Sequence, residues 1–107
     1  MDRNKNWERT KIAHDLIASR KSKFRSSSAK DDIKNAYSRG ETDEFMRATS
    51  INIKQAEYDI TRDSALFFNF RADRARQITA SLSKTSFNEF SRQETEVFKN
   101  FLTMTDY

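Results

Sequence analysis

An α/β fold is predicted for this chain by three features of its pattern. The segment Ala65 to Phe70 is an apolar run interrupted only by Asn69, which is what a strand covered on both faces looks like. It passes without Gly or Pro into a helical pattern from Arg71 onward, with Ala75, Ile78 and Leu82 on one face. A strand feeding directly into a helix is half of a βαβ unit, and the tail VFKNFLTMTDY offers a further strand beyond it. The expected architecture is an incomplete fragment of a mixed sheet with flanking helices.

The remaining elements follow in order. From Asn6 to Ser19, Trp7, Ile12 or Ala13, Leu16 and Ile17 recur at three- and four-residue spacings, so an amphipathic helix is expected to rest on them. RKSKFRSSSAK, basic and serine-rich around Phe24, reads as a loop. Ser28 followed by Asp31 resembles a capping box, and Ile33, Ala36 and Tyr37 then share one face of a short second helix. Gly40, the only glycine, stands where a C-terminal cap would. ETDEFMR, with Thr42 as N-cap, predicts a single further helical turn. Between Thr49 and Lys54, Ile51 and Ile53 alternate with polar residues as in a half-exposed strand.

Composition bounds what these elements can build. A chain of 107 residues is enough for one ordinary domain and too short for two. Leu, Ile, Val and Phe together number 21, so the core is thin, yet nine Phe, three Tyr and one Trp are more aromatics than a disordered tail carries. A piece of a globular fold with marginal stability is expected. The absence of Cys excludes disulfides and thiolate metal sites. No window approaches the roughly 18 apolar residues of a membrane span, and the first thirty residues hold no signal-like run, so a cytoplasmic protein without a membrane partner is expected. Twenty basic residues face 16 acidic ones with the signs interleaved, which describes a solvated surface better than a nucleic-acid face.

Few residues carry candidate chemistry. One glycine and no proline leave no Gly-rich phosphate loop and no nucleophile elbow. His14 lies off the Ile12, Leu16 and Ile17 stripe and is expected on the surface. Asp31 with Asp32, and Asp43 with Glu44, are adjacent and cannot face each other as a carboxylate dyad. What remains is FRADR. In open α/β sheets ligands bind beyond the carboxyl ends of strands, where a starting helix offers unpaired N–H groups. Arg71 and Arg74, one helical turn apart, could grip a phosphate or carboxylate there, with Arg76 directed elsewhere. Asp73 could favour the helix dipole, cap a backbone N–H or hold one arginine in its rotamer. The same residues also suit an ordinary solvated helix start.

FFNFRADRARQIT closely resembles the signature of the cofactor-independent, or 2,3-bisphosphoglycerate-independent, phosphoglycerate mutases. MDRNKNWERTKIAHDLI resembles that family's MDRD-x-RW-x-R stretch and following helix, YSRGETDEF echoes its ARGETDEF, and FLTMTDY resembles its M-T-x-Y return. The four matches run in the family's order from Met1 to Tyr107. The resemblance implies an isomerase of glycolysis, interconverting 3- and 2-phosphoglycerate. Its members are several times longer and pair a phosphatase-like domain, with two manganese ions and a serine nucleophile, with an inserted phosphotransferase domain. By the resemblance, residues 1–107 form a single partial domain, the last part of that insert, with about 97–107 beginning the return to the phosphatase-like domain. Arg3, Arg71 and Arg74 match arginines that bind phosphoglycerate, and Asp73 accompanies them.

The departures shape the expectation equally. The nucleophilic serine and the metal-binding Asp and His residues have no counterpart, so no catalytic residue, no metal ligand and no cofactor is assigned to this chain. Asn4 stands for the usual Asp, Asn6 for Arg, Ala48 for Pro and Arg62 for Gly. Met1 coincides with an internal methionine of the motif, so a split, truncated or decaying gene is expected. A complementary fragment of the same enzyme is a possible partner. A small basic module for another anion such as nucleic acid, and an inert remnant, are the alternative readings.

Overall fold

A computed structural model of the chain describes residues 6–51, 60–93 and 96–107. Two strand–helix–strand units make up most of it. In the first, β1 (Phe24–Ser26) pairs in parallel with β2 (Thr49–Ile51), and α2 (Ala29–Ser38) lies between them in the chain. In the second, β3 (Ser64–Phe67) pairs in parallel with β4 (Asn100–Thr103), with α3 (Arg76–Ser83) between. The helix α1 (Trp7–Ser19) precedes both and packs on α3. The α/β class therefore holds. Among the described residues the strands form two separate parallel pairs, not one mixed sheet.

Local chemistry explains α2 well. The Ser28 side chain accepts from the Asp31 backbone N–H at 3.2 Å, satisfying one of the donors left open in the first turn. At the other end Gly40 takes φ +80°, its N–H donates to Tyr37 carbonyl at 3.0 Å, and the Glu41 N–H donates to Ala36 carbonyl at 3.0 Å. That reciprocal pair is a Schellman closure, and the left-handed residue within it is why a glycine stands here. Ala36 is buried, whereas Ile33 and Tyr37 are exposed. Glu41 to Arg47 makes one hydrogen-bonded turn, Phe45 N–H to Thr42 carbonyl, without becoming a helix.

Several expectations are corrected. The basic segment after α1 is not all loop, since Phe24–Ser26 pair with β2, a strand too short to leave an alternation signal. Ile53 and its neighbours in the proposed 49–54 strand lie outside the described residues. The strand expected from Ala65 to Phe70 ends at Phe67 and is covered on one face only. Ala65 and Phe67 turn onto the core, while Leu66, Phe68 and Phe70 are exposed, no described element covering that side of the β3–β4 pair. The next helix starts at Arg76, not Arg71. A turn at 72–75 intervenes, with the Ala75 and Arg76 N–H groups both donating to Ala72 carbonyl, and Ala75 provides no side-chain cap that would favour an earlier start.

The largest correction concerns α1. Of the residues expected on the inner face, Trp7 and Ala13 do pack inward, but Ile12, 54% exposed, and Ile17 are exposed, and the fully buried positions are Thr10, His14 and Ala18, one turn apart. The reason lies across the interface, where α3 presents Gln77 and Ser81. Thr10 Oγ1 donates to Gln77 Oε1 at 2.7 Å. His14 Nδ1 lies 3.2 Å from Ser81 Oγ, and its Nε2 lies 3.4 Å from Glu96 Oε2. Ser19 Oγ donates to Glu96 Oε1 at 3.2 Å. Aromatic edges close the same seam: Trp7 meets Phe87 at 5.4 Å and His14 meets Phe90 at 5.3 Å between ring centroids. Below it sits a small apolar cluster of Ala18, Ile60, Ile78, Leu82 and Phe98. The polar residues of this stripe are buried because each has a hydrogen-bond partner on α3 or at Glu96.

Burial pushes the His14 imidazole below its ordinary value of 6.5, outweighing the pull of the Glu96 and Asp15 carboxylates, while Arg92 nearby adds to the lowering. Because the folded value is depressed, the neutral ring's contribution is complete above pH 6.5 and is lost progressively as pH falls toward the folded value. Urea unfolding between pH 8 and 5 should show a midpoint that declines below pH 6.5, and His14→Asn should flatten that decline. An unchanged slope in the variant would contradict a buried neutral His14. Gly40→Ala should lower stability by about 1 kcal/mol, a strain cost alone, since no atom lies within 4 Å of the added carbon. Thermal melting of the variant checks it.

Candidate functional site

An open cleft of about 1920 Å³ runs between α1, the segment around β1, and the turn after α2. Among the described residues six cations line it, Arg9, Lys21, Lys23, Arg39, Arg47 and Arg74, against three carboxylates, Asp15, Glu41 and Glu44. The excess of positive charge in a concave wall focuses potential onto an anion.

The far end of the cleft is organised around Phe24. The guanidinium carbons of Arg39 and Arg47 lie 4.2 and 5.5 Å from its ring centroid, and Lys23 Nζ lies 5.9 Å away. Glu41 joins the Arg39 side chain to the Arg47 backbone. Arg39 donates through Nε to one carboxylate oxygen and through Nη2 to the other at 3.3 Å, and the Arg47 backbone N–H donates at 2.9 Å. Those donors, Arg39 first, hold the Glu41 carboxyl below the usual carboxylate range, and Glu41 raises Arg39 in turn.

At the near end stands Arg74, the second arginine of the FRADR motif. Its Nη2 donates to Glu44 Oε1 at 3.1 Å, and its backbone N–H donates to Asp73 Oδ1 at 3.1 Å. The same Asp73 oxygen lies 3.3 Å from Arg71 Nε. Asp73 thus meets the Arg71 side chain and the Arg74 backbone. The rest of the expected geometry is modified. Arg71 lies four residues past the end of β3 and Arg74 lies in the turn before α3, not in its first turn. Arg71 is 78% exposed at its side chain and is not among the residues lining the cleft. Arg3 lies outside the described residues.

Sequence reasoning missed Arg9, Arg39, Arg47 and Glu44. Arg9 had a signal, since it is the final arginine of the quoted WER stretch, and its guanidinium stacks 5.5 Å from the Phe45 ring at the cleft wall. Arg39 and Glu44 lie within the quoted YSRGETDEF match, but that they line one cleft with Arg47 and Arg74 is visible only in the tertiary structure. Ser81, His14 and Glu96 stand in the order of a hydrolase triad. Ser81 is fully buried and its hydroxyl donates to Ile78 carbonyl at 3.0 Å, so this seam joins helices and presents no nucleophile. Among the described residues no group of three or more His, Cys, Asp or Glu could hold a metal ion, and no helix is long and apolar enough to cross a membrane.

The whole chain, residues 1–107, matches the family model described as BPG-independent PGAM N-terminus. The chain belongs to the BPG-independent phosphoglycerate mutase family. It is 44% identical over 110 residues to the 2,3-bisphosphoglycerate-independent phosphoglycerate mutase of Hydrogenovibrio crunogenus, and 46% identical over 109 residues to that of Shewanella denitrificans, covering all of this chain and 21% of each relative. Mutase 1 of Methanosarcina acetivorans is 43% identical over 97 residues, covering 88% of this chain and 19% of the relative. The chain therefore spans about a fifth of the length of the curated relatives it matches. The matching model is described as the family's N-terminus, which corrects the expected assignment to the last part of an inserted domain.

The cleft geometry makes one prediction about anions in general. Glu44 competes for Arg74, so Glu44→Gln should tighten inorganic phosphate by up to about fivefold, the scale of one exposed ion pair, whereas Arg74→Ala should weaken it. NMR shift titration with phosphate checks both directions.

Proposed function

We propose that residues 1–107 form one partial domain of a BPG-independent phosphoglycerate mutase, with 97–107 leading out of it, and supply part of its phosphoglycerate-binding surface. The parent reaction is the interconversion of 3- and 2-phosphoglycerate in glycolysis, which goes with a cytoplasmic location. The observation that carries this reading is Arg74: an arginine of the motif shared with the mutases opens onto a cleft with six cations and three carboxylates, in a chain that matches the family from end to end.

Phosphoglycerate carries a carboxylate and a phosphate within a few ångströms, and both accept paired hydrogen bonds from guanidinium groups. In the proposed complex Arg74 binds one of these groups from the cleft, Arg71, whose side chain Asp73 meets outside the cleft lining, swings in to the other, and Arg3 is a third contributor. Glu44 gives way to the incoming anion. Phosphoryl transfer belongs to the remainder of the mutase, where the serine nucleophile and two manganese ions of the family would reside. This chain's own residues bind and orient.

Each charge-assisted contact is worth roughly 1.5–3 kcal/mol, so Arg74→Ala or Arg71→Ala should weaken 3-phosphoglycerate binding at least tenfold, while Arg76→Ala should change it little. Isothermal titration of the purified chain measures this. The same protein should show no mutase turnover with or without manganese. Turnover that survives repurification, or binding indifferent to Arg74, would overturn the proposal.

A further inference from the structure

The far end of the cleft carries positive charge that the protein answers only in part. Lys23 Nζ and the guanidinium carbons of Arg39 and Arg47 all lie within 5.9 Å of the Phe24 ring centroid. The carboxylate tied into this group is Glu41, and it is already occupied: its side chain is 10% exposed, and its oxygens accept the Arg39 Nε, the Arg39 Nη2 and the Arg47 backbone N–H. A guanidinium has five N–H donors, so three of those on Arg39 remain. Among the described residues no acceptor meets the Arg47 guanidinium or the Lys23 ammonium, and both residues are exposed. Lys23, Arg39, Arg47 and Glu41 together sum to two positive charges.

We propose that this group is a second phosphate subsite, separate from Arg74, that takes the doubly charged phosphate of a small phosphate monoester. It needs only the charge cluster and the cleft, and is independent of the mutase reading. Charge selects the ligand first. A phosphate monoester carries about −1.5 to −2 charges at pH 7, which the surplus of two matches, whereas a carboxylate brings one. Geometry agrees. The Arg39 fork is tied by Glu41 and lies over Phe24 at 4.2 Å, so its free N–H groups are ordered before an anion arrives, and Arg47 and Lys23 beside it offer donors to the remaining oxygens. The cations gather around a single ring and are not strung along a groove as a nucleic-acid backbone requires. Space is also sufficient. The cleft, at about 1920 Å³, exceeds the roughly 300–1,000 Å³ of a typical small-molecule site, so one anion here and another at Arg74 fit together.

Amide shift titration of the whole chain with inorganic phosphate tests this, because the two ends of the cleft report separately. The expected result is a saturable shift at Lys23, Phe24, Arg39 and Arg47 that persists in Arg74→Ala. Arg47→Ala and Lys23→Ala should each weaken that isotherm about fivefold, the scale of one exposed charged contact, and should keep the circular dichroism of the parent, since both residues are exposed. Lys34→Ala, on α2 and outside the cleft lining, should leave it unchanged. Acetate, with a single charge, should bind at these amides several-fold more weakly than phosphate. The absence of a saturable shift at the Phe24 end, an isotherm indifferent to both Arg47 and Lys23, acetate equal to phosphate, or shifts there that vanish in Arg74→Ala would overturn the second subsite. Shifts confined to the Phe24 end would support it while defeating the Arg74 site, so the two readings fail separately.

Discussion

Thr10 and His14 on one helix meet Gln77, Ser81 and Glu96 across a seam of hydrogen bonds that link residues 67 or more positions apart. Every other feature is referred to this seam. It fixes which side of α1 faces inward, and so which side carries Arg9 to the cleft. It fixes α3 as well, and with it the turn that presents Asp73 and Arg74. The apolar cluster beneath is small, so directional polar contacts do much of the work of specifying the packing. Such a seam is unforgiving, because removing one partner leaves the other buried and unsatisfied.

The cleft shows how like charges can be gathered without being forced. Arg39, Arg47 and Lys23 gather round the Phe24 ring, and Glu41 pairs with the Arg39 guanidinium while accepting the Arg47 backbone N–H. Arg74 is answered by Glu44, and Arg71 by Asp73. These exposed pairs are individually weak in water. Weakness suits an anion site, since an incoming phosphate must displace or join the carboxylates that wait there.

What could be read from the sequence was whatever depends on nearest neighbours along the chain. The Ser28 cap, the Gly40 closure and the extents of α1 and α2 are local devices, and they stand where the pattern puts them. The α/β class followed from strand and helix succeeding one another around Arg71, though the strand is shorter and the helix later than the pattern implied. What failed was judgement of facing. Ile12 and Ile17 outrank His14 in hydrophobicity, yet His14 is buried because Ser81 and Glu96 await it, and no window of α1 contains that information. Phe24 looked like a stray aromatic in a basic loop because its partner strand lies 25 residues away. Of the candidate site, the FRADR motif was legible as a cluster of charge. That Arg39, Arg47 and Glu44 join Arg74 in one cleft was not, since it depends on how α1, α2 and the turn before α3 come together.

The central claim is that Arg74 and its neighbours at the near end of the cleft receive a phosphorylated acid. A crystal structure of this chain soaked with 3-phosphoglycerate tests it most directly. The expected result is density for the ligand with its phosphate or carboxylate in hydrogen-bond contact with Arg74 and the Glu44 pair opened. Ligand bound only at the Phe24 end among Lys23, Arg39 and Arg47, or none at the Arg74 end at saturating concentration, would contradict it.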